Sequence, residues 1–195
     1  ARKEVNEVVV VDDCSRDNTH QEAKNIPTTD ERSMNVHDDK GRVTVLYHPV
    51  NRGQGAALQT GNEYALSAGA DIIVHFDADG QFLAEEIKDM IEPLRRDEAE
   101  VTLGSRFMGK TSNIPFTKRK IILPLAGLMN KWIMGIQLTD PQNGLRCLKR
   151  EVVENMEIEQ DQMAHCSEIL YKISQNNHRI REVPITVIYH HYGQD

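Results

Sequence analysis

Hydrophobic and polar positions along the chain fall into blocks whose period switches between two and 3.6 residues. Glu7 to Val11 is a short β-branched run that stops at Asp12-Asp13, which predicts a buried strand. Ser15 to Lys24 opens on Ser and Asp, good capping residues, and then turns helical. Pro27 to Lys40 is polar and reads as a loop or a poorly supported helix. Val43 to Tyr47 predicts a second strand, Ala56 to Ala68 a helix, and Asp71 to Phe76 a third strand. Leu83 to Arg96 carries Ile87, Met90, Ile91 and Leu94 at helical spacing, with Pro93 set to shorten its last turn. Val101 to Ser105 predicts a strand. Phe116 to Met134 predicts a helix interrupted near Pro124, and Glu151 to Glu154 and Ser167 to Asn176 are helical. Arg181 to Tyr189 closes the pattern as a strand despite Pro184.

Strands that alternate with helices predict an α/β fold with a mainly parallel sheet flanked by helices. Such sheets bind ligands outside the carboxyl ends of their strands. Those ends are Asp12-Asp13, His48 to Arg52, Asp77 to Gln81 and Ser105-Arg106, where the polar residues collect. One shared cleft is therefore expected.

Composition sharpens this only in places. The 195 residues are 39% hydrophobic and 27% charged, which fits one globular domain and excludes disorder as the main state. The net charge of −7 argues against a general nucleic-acid coat. That charge is uneven. Val101 to Thr139 holds no Asp or Glu but contains Arg106, Lys110, Lys118, Arg119, Lys120 and Lys131. Cys14, Cys147 and Cys166 are far apart and form no metal or disulfide pattern, so buried or incidental reduced thiols are the plain reading. The most apolar stretch, Ile121 to Ile136, is too short and too interrupted to span a bilayer. A cytoplasmic protein is expected, with the cytoplasmic membrane face as a place of work.

Several short motifs carry chemistry, each beside a blander reading. Asp77-Ala78-Asp79-Gly80-Gln81 follows a strand, so two carboxylates one residue apart can share a hard cation such as Mg²⁺ or Mn²⁺, with Gln81 adding a neutral oxygen. The same residues also suit an ordinary turn. Asp12 and Asp13 can accept hydrogen bonds from a nucleoside, while Ser15 or Asp17 caps the next helix. Asn51-Arg52-Gly53-Gln54-Gly55 either cradles an anion on backbone N–H groups or is a tight turn. Asp140-Pro141-Gln142-Asn143-Gly144 reads first as a turn, yet Asp140 is the first carboxylate after the acid-free stretch. Glu168 reads as an exposed helix carboxylate before it reads as a site residue. His190-His191 point to opposite faces of a strand and share no metal.

Taken together, VVVVDDCSRDNT, NRGQGAA, HFDADGQF, LGSRF, LTDPQNGLRCL, SEILYKI and EVPITV resemble, in order and spacing, a family-2 glycosyltransferase of the GT-A fold. The set is most similar to the polyprenyl- and dolichyl-phosphate sugar synthases. The resemblance implies metal binding by Asp77, Asp79 and Gln81, and nucleotide binding by Asp12, Asp13, Arg52 and Asp77, with Asp13 as the base contact. It implies that Arg106 lies near phosphate and Asp140 near the reacting sugar. Nothing matches the family's opening strand, so the expectation is one catalytic domain over residues 1–195 that is N-terminally incomplete. Residues 101–139 would form its acceptor-facing or membrane-facing segment.

The implied reaction is inverting, Mg²⁺- or Mn²⁺-dependent transfer of a sugar from a nucleoside-diphosphate sugar to a polyprenyl phosphate. Lys118, Arg119 and Lys120 stand beside apolar residues and suit phosphate docking or peripheral contact with anionic lipid. A solvated basic end of a core helix is the blander alternative. Two other functions fit the same motifs: transfer to a glycan hydroxyl, with Asp140 as base, and a noncatalytic nucleotide-sugar binding module. Glu168 is a further candidate site residue.

Overall fold

The computed structural model describes residues 4–25, 42–108 and 138–188. The predicted loop Pro27–Lys40, the predicted helix Phe116–Met134, the basic cluster Lys118-Arg119-Lys120 and His190-His191 lie outside the described residues. The chain divides into two compact units, Ala1–Ala70 with Glu157–His165, and Asp71–Met156 with Cys166–Asp195.

In the first unit, strands β1 (Glu7–Asp12) and β2 (Arg42–Tyr47) pair in parallel, with Asp12 opposite Tyr47. Helices α1 (Thr19–Lys24) and α2 (Gln54–Ser67) pack on β1. Glu7 ties three elements together: its carboxylate meets Arg42 at 2.7 Å, the Thr44 hydroxyl at 2.6 Å and the Tyr64 hydroxyl at 2.8 Å. Helix α1 begins four residues later than the capping pattern predicts. The intervening backbone is used locally: Cys14 has a φ of +60°, Asp12 Oδ1 accepts the Ser15 N–H, and Asp17 Oδ1 accepts the Thr19 N–H.

The second unit is built on a four-stranded sheet in the order β3-β5-β4-β6, where β3 is Ile72–His75, β4 Val101–Ser105, β5 Arg146–Lys149 and β6 Ile180–Pro184. Strands β3, β4 and β6 share one direction, and β5 alone runs against them. The two interior strands are the apolar ones: every residue of β4 is buried, and Arg146, Cys147 and Leu148 of β5 are buried too. Helix α3 (Ile87–Arg95), preceded by a 3₁₀ turn at Ala84–Glu86, lays Ile87, Met90, Ile91 and Leu94 on the sheet. The Thr102 hydroxyl donates to the Met90 carbonyl at 2.7 Å, satisfying a buried polar group inside β4. Pro93 sits in the last turn, and the helix stops two residues later. Helices α4 (Arg150–Glu154) and α5 (His165–Gln175) add Val152, Val153, Ile169, Leu170 and Ile173 to the core. The final strand is shorter than its pattern predicts. It ends at Pro184, which offers no donor, and only an isolated bridge from Val187 to Phe82 follows.

Strand β5 was not foreseen. It spans four residues, carries Arg146 and Lys149 at its ends and runs straight into α4, so it shows neither alternation nor a closing turn. Burial holds the Cys147 thiol, on this strand, up at about 12, which makes it inert, as expected of a structural cysteine.

Leu148 is fully buried between β3 and β4. Leu148→Ala is expected to destabilise the fold by about 2–5 kcal/mol, measured by urea unfolding. A loss near zero would show that β5 is not central to the sheet.

Candidate active site

The carboxyl ends of the strands gather the candidate residues, each unit with its own set. In the first unit Asp12 closes β1 and is 3% exposed. Its Oδ1 accepts the Ser15 N–H at 3.0 Å. Its Oδ2 lies 3.2 Å from His20 Nδ1, an ion-pair distance without hydrogen-bond alignment, so this buried oxygen accepts no hydrogen bond. The Ser15 hydrogen bond outweighs burial and holds Asp12 below the usual carboxylate range.

Asp13 is differently placed. Its Oδ1 accepts the Arg52 N–H at 3.0 Å and lies 2.7 Å from His48 Nδ1. Its Oδ2 takes the Gly53 N–H at 2.5 Å and the Arg52 N–H at 3.1 Å. His48 Nε2 continues to the Thr60 hydroxyl at 2.8 Å. The Arg52-Gly53 backbone does cradle an anion, and that anion is the protein's own carboxylate. Gly53 needs its φ of +104°, and a Cβ there would strike the Asp161 carbonyl. Gly55 donates its N–H to that same carbonyl at 2.8 Å. The Arg52 side chain is half-exposed and 3.5 Å from Asp161.

In the second unit, the turn after β3 carries Asp77, Asp79 and Gln81. Asp77 is half-buried, Asp79 is exposed, and Asp79 Oδ1 accepts the Gln81 N–H at 2.9 Å, a local turn bond. The Ile188 N–H donates to the Gln81 carbonyl at 2.9 Å and ties this turn to the chain beyond β6. The Asp77 carboxylate fills the space that a side chain at Gly144 would take. Asn143, beside Gly144, donates to Asp140 Oδ2 at 3.1 Å. The same Oδ2 accepts the Arg106 N–H at 3.2 Å and the Arg106 Nε–H at 2.7 Å. Asp140 is 5% exposed. The turn from Asp140 to Gly144 thus brings Asp77, Arg106 and Asp140 to one end of this sheet.

Glu182, on β6, escaped the sequence reading. Its carboxylate accepts the Thr139 N–H at 2.8 Å, the Thr139 hydroxyl at 2.9 Å and the Asp140 N–H at 3.1 Å. Thr139 also shares a 2.6 Å hydrogen bond with Ser105. The only sequence signal is a carboxylate in an otherwise apolar terminal strand. Gly144 was equally hidden, since its turn explains a glycine without a neighbour. Glu168 corrects an expectation: its side chain is 11% exposed, not solvated, and meets Lys172 at 2.8 Å.

Among the described residues no three His, Cys, Asp or Glu side chains form a metal cage. Two hard carboxylates on one turn, one of them lodged over a glycine, fit instead a cation whose other positions are filled by substrate phosphate and water. No helix among the described residues is long and apolar enough to cross a membrane.

A family model described as glycosyl transferase family 2 matches residues 2–156. The chain is 33% identical over 192 residues to the UDP-N-acetylglucosamine–dolichyl-phosphate N-acetylglucosaminyltransferase of Methanococcus voltae, across 95% of this chain and 76% of that protein. It is 30% identical over 193 residues to the undecaprenyl-phosphate mannosyltransferase of Micrococcus luteus, across 96% and 74%. Among solved structures, glucosyl-3-phosphoglycerate synthase from Mycobacterium tuberculosis, in complex with Mg²⁺ and uridine diphosphate, superposes with a TM-score of 0.64 at 16% identity. That match covers 97% of this chain and 62% of the solved one. The architecture is therefore the GT-A fold of the nucleotide-diphospho-sugar transferases. The chain belongs to glycosyl transferase family 2.

Burial raises the Asp13 pKa, but the Arg52 and Gly53 N–H groups and His48 outweigh it and hold the carboxyl below its usual value. The folded state therefore binds fewer protons than the unfolded one. The stability this clamp contributes is complete above the unfolded value, about pH 4, and is lost as pH falls through the lower folded value. Asp13→Asn, which turns an amide toward these donors, is expected to cost about 1–3 kcal/mol at pH 7 and to flatten the acid limb of Tm against pH. An unchanged limb would remove Asp13 from that role.

Proposed function

We propose that the chain transfers a sugar from a nucleoside-diphosphate sugar to a polyprenyl phosphate of the dolichyl type, with inversion. The observation that carries this reading is the state of Asp140. Its Oδ2 accepts three hydrogen bonds, two of them from Arg106, so the carboxylate is fixed in place as a partner of that cation. A hydroxyl acceptor needs a base. A phosphate monoester is already anionic near neutral pH and does not. The names of the Methanococcus and Micrococcus relatives point to the same acceptor class.

In this reaction an acceptor phosphate oxygen forms a bond to the anomeric carbon from the face opposite the leaving group. The bond from that carbon to the donor's diphosphate oxygen breaks, and its electron pair departs with the nucleoside diphosphate. Asp77 and Asp79, with Gln81, would hold Mg²⁺ or Mn²⁺. When bound, the cation supplies positive charge to the departing diphosphate. Arg106 adds positive charge on the same side as the cation and, through its bond to Asp140, holds that carboxylate in place.

Asp13 has its acceptor positions filled by His48, Arg52 and Gly53, so it keeps the 51–53 turn in place. Asp12 closes β1 beside it, and the end of this strand is the nucleoside end of the first unit. Arg52 flanks it as a half-exposed cation. Lys118, Arg119 and Lys120 dock the acceptor phosphate at an anionic membrane surface.

Asp79→Asn is expected to lower turnover with polyprenyl phosphate by at least about a hundredfold while leaving the Tm within a few degrees, since Asp79 is exposed. Radiolabelled sugar recovered in the lipid phase measures it. A protein that labels free glycans and not lipid phosphate would overturn the acceptor assignment. Gly144→Ala, which places a methyl group against Asp77, is expected to weaken Mn²⁺-dependent nucleotide binding by about tenfold, read by calorimetry. Unchanged binding would separate Asp77 from the cation.

A further inference from the structure

Arg146 is the first residue of β5 and is 1% exposed. Its Nε and Nη2 are buried and have no hydrogen-bond partner among the described residues. Buried arginines are normally paired, because an uncompensated guanidinium in the interior costs several kcal/mol. Nothing about packing asks for one here. Its cross-strand partners are Leu103 on β4 and His75 on β3, and neither offers a carboxylate to pair with it.

Its position gives the charge a purpose. His75 stands directly opposite Arg146, and Asp77 lies two residues further along, its carboxylate over Gly144. Asp77 thus sits just past the paired end of β3, against a glycine two residues before Arg146. A cation inside this end of the sheet repels a bound metal ion and attracts phosphate, by about tenfold in affinity for a separation of roughly 10 Å at an effective dielectric near 20. Other charged or titratable groups on β3, β4 and β6 near this end are His75, Arg106 and Glu182. Arg106 is paired with Asp140, and Glu182 is bonded to Thr139 and Asp140.

We infer that Arg146 is an electrostatic residue for the donor's diphosphate: a buried cation that favours the anion at the Asp77 turn without touching it. This rests on the reading of Asp77 given above. The charge is kept at the expense of stability, which separates it from a packing role.

The test uses Arg146→Met, which keeps length and removes charge, and Arg146→Lys, which keeps charge. Calorimetry with Mn²⁺ alone, and with inorganic diphosphate in excess Mn²⁺, is combined with the Tm of each unliganded protein. Arg146→Met is expected to match or exceed the wild-type Tm and to bind Mn²⁺ alone as well or better. It should bind diphosphate about tenfold more weakly. Arg146→Lys should stay within about threefold of wild type for diphosphate. Undiminished diphosphate binding by Arg146→Met would overturn the inference. So would a Met variant that fails to fold or loses both affinities together, because the arginine would then be structural. Asp77→Asn, run in parallel, keeps the two readings apart. If it leaves Mn²⁺-dependent diphosphate binding intact, the assignment of Asp77 itself falls.

Discussion

Backbone N–H groups at strand ends need acceptors, and this molecule supplies them with carboxylates. Strands that stop at a binding site cannot hand their donors to a regular helix or ladder, because the chain must turn away to present side chains. Asp13 takes the N–H groups of Arg52 and Gly53, and Glu182 takes those of Thr139 and Asp140. In each case a residue leaving one strand fixes a turn that belongs to another part of the sequence. The turns that carry Arg52 and Asp140 are thereby held by charge-assisted bonds, stronger than neutral ones.

Much of this fold is legible from hydrophobic pattern alone, because β1, β3 and β4 are continuous apolar runs and α3 and α5 each bury an apolar face. The turn at Asp77 is legible for a related reason: a polar, glycine-containing stop after an apolar run marks the end of a strand. What is hidden depends on partners distant in sequence. The NRGQG segment looks like a site for a foreign anion, since its glycines free the backbone, but only the fold shows Asp13 already seated there. Glu168 looks solvated until α5 packs and Lys172 folds over it. Glu182 and Gly144 matter only through residues some 40 or more positions away. β5 escapes because a four-residue strand with charged ends has no period to read.

The uneven charge also acquires two causes. The acid-free stretch begins inside β4, where all five residues are buried. Exclusion of carboxylates from an interior strand accounts for that first part without any ligand. Beyond it, Arg106 is the first basic residue, and its partner Asp140 is the first acid to return. Between them the chain carries five more basic residues, Lys110, Lys118, Arg119, Lys120 and Lys131, and no acid.

The reversed direction of β5 has a consequence for how such a protein can change. Because β4 and β5 are antiparallel neighbours, the connection from Arg106 to Leu145 departs from and returns to the same end of the sheet. Its two anchor points stay fixed whatever lies between them. The entropic cost of a closed excursion grows only slowly with its length. The connection therefore behaves as an interchangeable cassette. A connection anchored in this way can be lengthened, shortened or rewritten while the residues at its two ends keep their places on the sheet.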